Sequence, residues 1–345
     1  MIQHVPRVSI GMPVYNGEKY LSTAVDSLLA QTFEDFELVI SDNASTDRTE
    51  EMCRDYAARD PRIRYFREES NRGVAWNFCH VVGLSRGEYF KWAAHDDVCE
   101  PTFLARCVDV LDRHPDVVWC HPQTAYVDAR GRRMTGPGEG VVSFAVAPGR
   151  PAEKVAGIGG GDPSQPTRES ASPHRRFRAV LLGPGEVHDV YGLIRMSAMR
   201  QTGLERPFHG SDKVFIAELS LLGRFVEVRE VLFYSRRHAE QFVFLPSARI
   251  LEAETSGRRR WLVVPRRLRC MFWYLLLILK GRIIWYERLP CLTAWVHFVC
   301  RPKKWKRLAV DGLRLLGLKV PSPEDAVRPA LTGQSPARAP KGSTT

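Results

Sequence analysis

The chain has 345 residues, 44% of them hydrophobic, and a formal net charge of +11. That is enough apolar material for one large domain with an appendage, or for two domains. No Cys-x-x-Cys pair or Cys/His cluster has zinc-ligand spacing, the eight cysteines read as reduced thiols, and the first residues lack the basic start and apolar run of a secretory leader.

The charge is unevenly placed. Residues 256–345 hold 19 Lys/Arg and 4 Asp/Glu, a net of +15, whereas the first 255 residues carry −4. A mildly acidic body with a strongly basic tail calls for an anionic partner for the tail.

In chain order, residues 8–14 form an apolar run that stops at a turn, Asn16-Gly17, so a strand is expected. Leu21, Val25, Leu28 and Leu29 then recur at helical spacing. Residues 36–40 read as a second strand ending in Ser41-Asp42-Asn43-Ala44-Ser45, and Asp47 followed by Glu50 suggests a capping box. Strands at 63–66 and 89–93, helices at 73–84 and 101–113, and a strand at 117–120 complete the pattern. Alternating strands and helices predict an α/β fold, a mainly parallel sheet sandwiched by helices. Ligands of such sheets bind beyond the carboxyl ends of the strands, so the polar runs at Asn16, Asp42 and Asp96 should meet on one rim.

Residues 131–176, rich in Gly, Pro and Ser, read as a long flexible loop with one short strand at 141–146, order resuming near Phe177. A helix is expected at 212–222 and an apolar stretch at 231–234. The expected divisions are a catalytic domain at 1–255, a helical, basic, Trp-rich appendage at 256–320 and a disordered tail at 321–345.

Three segments end strands with polar residues: Val8-Ser-Ile-Gly-Met-Pro-Val-Tyr-Asn-Gly17, Leu38-Val-Ile-Ser-Asp-Asn-Ala-Ser-Thr-Asp47 and Gly87-Glu-Tyr-Phe-Lys-Trp-Ala-Ala-His-Asp-Asp97. In this order and spacing the chain resembles the family 2 glycosyltransferases over about its first 120 residues, with a further match near 186–238. The resemblance implies a GT-A fold with a Rossmann-like nucleotide-binding half. It implies an inverting transferase that moves a sugar from a nucleotide diphosphate donor, with UDP expected, to a hydroxyl of a glycan or lipid-linked acceptor.

The chemistry of a nucleotide sugar accounts for these residue types. A carboxylate at a strand end accepts the N–H of a pyrimidine base, and the resemblance assigns that role to Asp42. Pro13, Tyr15 and Asn16 lie in the loop expected to cover base and ribose. Charge builds on the diphosphate as the glycosidic bond breaks, and a divalent cation held by carboxylates neutralises it. Hard oxygen ligands suit Mn2+ or Mg2+. The resemblance places Asp96 near ribose and metal and makes Asp97 a metal ligand. The family's first acidic position is Ala94 here, which leaves the ligand set one carboxylate poorer. Arg72, in Asn71-Arg72-Gly73, is placed to pair with a phosphate, or is a surface arginine beside a turn. His238, in Ser235-Arg-Arg-His238, is a further candidate metal ligand, with a structural histidine as the alternative. Attack by an acceptor hydroxyl needs a base. Asp212 matches the family's general base, the alternative being a carboxylate favoured by the helix dipole.

The tail has two readings. Its tryptophans and basic residues suit an anionic membrane surface, on the inner face of the cytoplasmic membrane for a cytoplasmic protein. Alternatively its helices pack on the catalytic body. No base-reading module is present, so nucleic acid is not an expected partner. An inactive relative that binds glycan or nucleotide is the alternative for the whole chain. A nucleotidyltransferase would carry a Gly-rich loop with a lysine after its first strand, and 11–17 is not one.

Overall fold

The structure is a computed structural model and describes residues 4–134, 168–183, 188–204, 206–208, 210–238, 241, 266–281, 283–302, 305 and 308. An eight-stranded sheet forms its centre. Strands β1 (Val8–Val14), β2 (Phe36–Asp42), β3 (Ile63–Arg67) and β4 (Tyr89–Trp92) run parallel in the order β3-β2-β1-β4. Every residue of β1 and β2 is buried, as in a sheet covered on both faces.

Beyond β4 the sheet becomes mixed. The long β6 (Val117–Val127) runs parallel to β8 (Arg224–Arg236), and β7 (Leu193–Arg195) joins β4 to β6 with antiparallel pairing on both sides. The two-residue β5 (Val98–Cys99) pairs antiparallel with β8 at the edge.

Helices α1 (Leu21–Leu29), α2 (Thr49–Arg59) and α4 (Phe103–Arg113) cover one face, packing Leu21, Cys53 and Phe103 on Ile10, Leu38 and Phe233. Helices α3 (Val74–Leu84), α6 (Met196–Met199) and α7 (Ser211–Leu222) cover the other, with Val81, Met199 and Phe215 around Trp92 and Trp119. Outside α7 lies a third apolar cluster. Here α5 (Pro173–Leu182), α8 (Arg266–Lys280) and α9 (Trp285–Val299) bury Phe177, Tyr274, Ile278 and Phe298 against Val214 and Ala217. The apolar run at 270–279 therefore has an inward face that packs on the body.

Several expected boundaries move. β6 extends seven residues beyond 120, because its pairing with β8 carries the polar His121-Pro-Gln-Thr stretch through two irregular registers. The ordered segment expected near Phe177 includes a helix that begins earlier: α5 starts at Pro173, at the first helical position where proline is favoured. Buried Arg176 ties that helix down, donating from Nε to the Ser220 carbonyl (2.7 Å) and from Nη1 to Ala171 (2.7 Å). Burial pushes its guanidinium down to about 10. No capping box forms. Asp47 Oδ1 accepts from the Thr49 backbone N–H (3.0 Å) and hydroxyl (2.5 Å), while Glu50 pairs with Arg54 and Arg67. The strand expected at 141–146 and the tail at 321–345 lie outside the described residues.

Candidate active site

The parallel register puts the ends of β1 and β2 side by side, Val14 opposite Asp42, and β4 ends beside Gly11. The three following loops touch. Asn16 donates its backbone N–H to Ser45 Oγ (2.9 Å) and accepts the Thr46 N–H on Oδ1 (2.8 Å). It holds φ 51°, a left-handed conformation that asparagine tolerates. A Cβ on Gly17 would lie 3.0 Å from the His95 ring, so the first loop lies directly against the acidic one. Pro13 is buried within β1, and Tyr15 is exposed beside it.

Asp42 ends β2 with no exposed surface. Its Oδ1 accepts the Ser45 N–H (2.8 Å), and Oδ2 accepts from Tyr65 Oη (2.9 Å) and Arg67 Nη1 (2.9 Å). A carboxylate has about four acceptor positions; three are filled here, and the remaining one is on Oδ1. Neighbouring Asn43 reaches across to the next loop, accepting the Arg72 N–H on Oδ1 (2.9 Å) and donating from Nδ2 to Asn71 Oδ1 (2.9 Å). Arg72 is thereby fixed to the rim. Its guanidinium lies over the Trp76 ring, 3.8 Å from the centroid, in a cation–π contact, and 3.6 Å from Glu68.

The acidic pair follows β4. Asp96 and Asp97 are both buried. The end of β8 reaches back to hold them: the Arg236 backbone N–H donates to Asp97 Oδ1 (2.9 Å), and Arg236 Nε donates to the Asp96 carbonyl (2.8 Å). His238 Nε2 lies 2.9 Å from Asp96 Oδ2. Tyr20 closes the group, its ring 4.7 Å from His238 and 4.9 Å from the Arg236 guanidinium. Burial, then the charge of Asp96, pushes the Asp97 carboxyl upward against the opposing effects of the Arg236 N–H and of Lys91 and Arg237. Burial acts upward on Asp96 too, but its His238 hydrogen bond and the nearby imidazoles outweigh it and hold it low. Burial lowers His95.

These residues fit a divalent cation as an open, partial shell. Two hard carboxylates are adjacent in a buried place, and His238 Nδ1 is a buried nitrogen with no hydrogen-bond partner. Among the described residues no group of three His, Cys, Asp or Glu side chains can hold an ion alone.

Asp212 lies in the first turn of α7. Three residues on, Phe215 packs edge-on against Trp92, the last residue of β4, with centroids 5.1 Å apart. The helix that carries Asp212 thus touches the end of β4 through Phe215, in its second turn.

Sequence reasoning missed four participants. Arg236 is buried and donates to both members of the acidic loop. Tyr20 and Tyr65 carry no local signal. Lys91 is fully buried; its Nζ donates to the carbonyls of Trp92 (2.9 Å) and Tyr191 (3.0 Å) and lies over the Phe103 ring (4.6 Å). A lone lysine inside an apolar strand was the one available hint.

A parallel half-sheet with carboxylates at its carboxyl rim and antiparallel strands alongside defines an α/β fold of the GT-A type. Residues 9–150 match the model of glycosyl transferase family 2. A protein of Rickettsia felis named as an uncharacterized glycosyltransferase is 38% identical over 112 residues, which are 32% of this chain and 18% of that protein. A similarly named protein of Rickettsia typhi is 35% identical over 118 residues, 33% of this chain and 36% of that one. The match thus spans at most about a third of these relatives. The crystal structure of S. aureus TarS 1–349 in complex with UDP-GlcNAc shares the fold, with a TM-score of 0.56 at 17% identity over 95% of this chain and 87% of that one. Over residues 9–150 the chain is thus similar to the family 2 glycosyltransferases.

Proposed function

We propose that the protein is an inverting glycosyltransferase that moves a sugar from a nucleoside diphosphate donor, UDP being expected, to a hydroxyl of a glycan or lipid-linked acceptor. The observation that carries this reading is the binding of Asp96 and Asp97 to the far end of β8 through Arg236 and His238, directly against the loop after β1. That arrangement leaves a buried carboxylate pair next to the rim where α/β sheets bind nucleotides. The complex of TarS with UDP-GlcNAc on the same fold supports the donor class.

The base lies at the β2 end, its N–H directed at the open position on Asp42 Oδ1, with Pro13, Tyr15 and Asn16 over base and ribose. Arg72, held over the Trp76 ring, pairs with a phosphate oxygen. Asp97, with Asp96 beside it and His238 as a further ligand, would hold Mn2+ or Mg2+, which when bound neutralises charge building on the diphosphate. Asp212 accepts the proton of the acceptor hydroxyl as that oxygen attacks the sugar carbon from the face opposite the diphosphate. The bond to the diphosphate breaks, the configuration inverts, and nucleoside diphosphate is released.

A screen of nucleotide sugars with Mn2+ or Mg2+, reading the released nucleotide, tests this. The expected product is a nucleoside diphosphate, formed only with cation. Release of pyrophosphate would assign nucleotidyl transfer instead, and binding without turnover of any donor would assign a binding module.

A further inference from the structure

The α8–α9 corner presents an apolar surface that the fold does not cover. Leu279 at the end of α8 is half-exposed, and Ile284, Trp285, Tyr286 and Leu289 follow at the start of α9. Trp285 is 80% exposed and Leu289 69%. Such values are unusual for two large side chains one helical turn apart, because each leaves most of its apolar area in water. Along α9 the outward positions 285, 289 and 296 are apolar, while Cys291, Ala294 and Phe298 point inward to the third core cluster. The outward apolar surface is thus concentrated in the first turns of α9, while Thr293 and His297 further along are exposed and polar.

The charges around the corner have one sign. Lys280 and Arg288 flank the aromatic residues and are exposed. α8 contains no acidic residue, and the one in α9, Glu287, is turned inward and held by the His174 ring (2.6 Å) and backbone N–H (3.0 Å). The outer surface of the two helices therefore has no carboxylate to repel an anionic layer. The sequence after α9, 301–307, adds five Lys/Arg to the same end of the chain. Among the described residues no helix is long and apolar enough to cross a membrane.

We propose that this corner is a docking surface for an anionic lipid bilayer. α9 lies in the plane of the interface, with Trp285, Tyr286 and Leu289 entering the headgroup boundary to a depth of ~5–10 Å. Tryptophan and tyrosine suit that zone because each has an apolar body and a polar edge. Lys280 and Arg288 meet lipid phosphates at the rim of the patch. The proposal is independent of the reaction and of Asp212.

The test is co-sedimentation of the full chain with phosphatidylcholine vesicles, with and without phosphatidylglycerol. Binding is expected only with phosphatidylglycerol, and it falls as salt rises. Lys280→Gln with Arg288→Gln should weaken it by about fivefold per charge removed. Trp285→Ser with Leu289→Ser should abolish it while circular dichroism and donor affinity stay unchanged, because both side chains are outside the core. Absence of binding to the anionic vesicles overturns the proposal. Binding that neither double variant alters also overturns it, since charge elsewhere would then be sufficient. A dimer in light scattering that Trp285→Ser with Leu289→Ser dissociates would assign the face to a second copy and overturn it too.

Discussion

His238 Nε2 lies 2.9 Å from Asp96 Oδ2, joining residues 142 positions apart in sequence. This contact, with the Arg236 N–H on Asp97, fastens the end of β8 to the loop after β4. The acidic loop is therefore shaped by the second half of the chain, although its sequence signature lies wholly in the first.

The carboxylate pair yields a cation-binding prediction. A ligand that binds only the folded state stabilises it, by about 2.7 kcal/mol at a hundred times its Kd. Mn2+ should raise the Tm of the wild-type chain accordingly. Asp97→Asn should fold, because it removes repulsion from Asp96, but its Tm should not respond to Mn2+. Calorimetry of both chains with and without Mn2+ checks this; an equal response in the variant would remove Asp97 as a ligand.

Glu37 should control part of the acid limb of stability. It is buried in β2 and accepts from Ser9 Oγ (2.6 Å), the Arg86 N–H (2.9 Å) and the guanidinium groups of Arg64 and Arg86 (both 2.8 Å). Burial acts to raise its carboxyl, but these bonds outweigh it and hold the group below its ordinary 4.5. The depressed folded value means that this stability is present above 4.5 and is lost as pH falls through the folded value. Glu37→Gln should cost about 1.5–3 kcal/mol at neutral pH and flatten the acid limb. Urea titrations of both chains from pH 7 to 3, at roughly unit steps across the carboxylate range, would show it. An unchanged limb would assign the acid sensitivity to other groups.

Ala44, two residues past Asp42, holds φ 62°. A left-handed conformation costs a residue with a Cβ about 1–2 kcal/mol, partly offset by the extra chain entropy glycine loses on folding. Ala44→Gly should therefore stabilise the chain by about 0.5–1 kcal/mol and leave Asp42 in place. Denaturant unfolding measures the gain. A loss of stability would mean that the Ala44 methyl contributes packing that outweighs its strain.

The parallel half of the sheet was legible because β1, β2 and β4 are short apolar runs ended by polar turn residues, the local signals that period and turn chemistry read directly. The meeting of Asn16, Asp42 and Asp96 loops followed from parallel strands alone. The extent of β6 was hidden because His121, Gln123 and Thr124 break the apolar pattern, and only pairing with β8 makes that stretch a strand. α5 was hidden in a Gly- and Pro-rich surround, since Arg176 becomes a core residue only by reaching the Ser220 carbonyl. Arg236 and Tyr20 were illegible for the same reason: their partners come from other elements. Of the tail's two readings, packing on the body is seen in α8 and α9, while Trp285 and Leu289 remain exposed.

Asp212 is proposed to act on a donor bound at Asp42 and Asp97. Donor affinity and turnover measured side by side for wild type and Asp212→Asn test it most directly. Loss of a general base should lower turnover by about 10²–10⁴-fold while donor Kd stays within experimental error of wild type. Undiminished turnover in Asp212→Asn, or loss of donor binding along with it, would contradict the account.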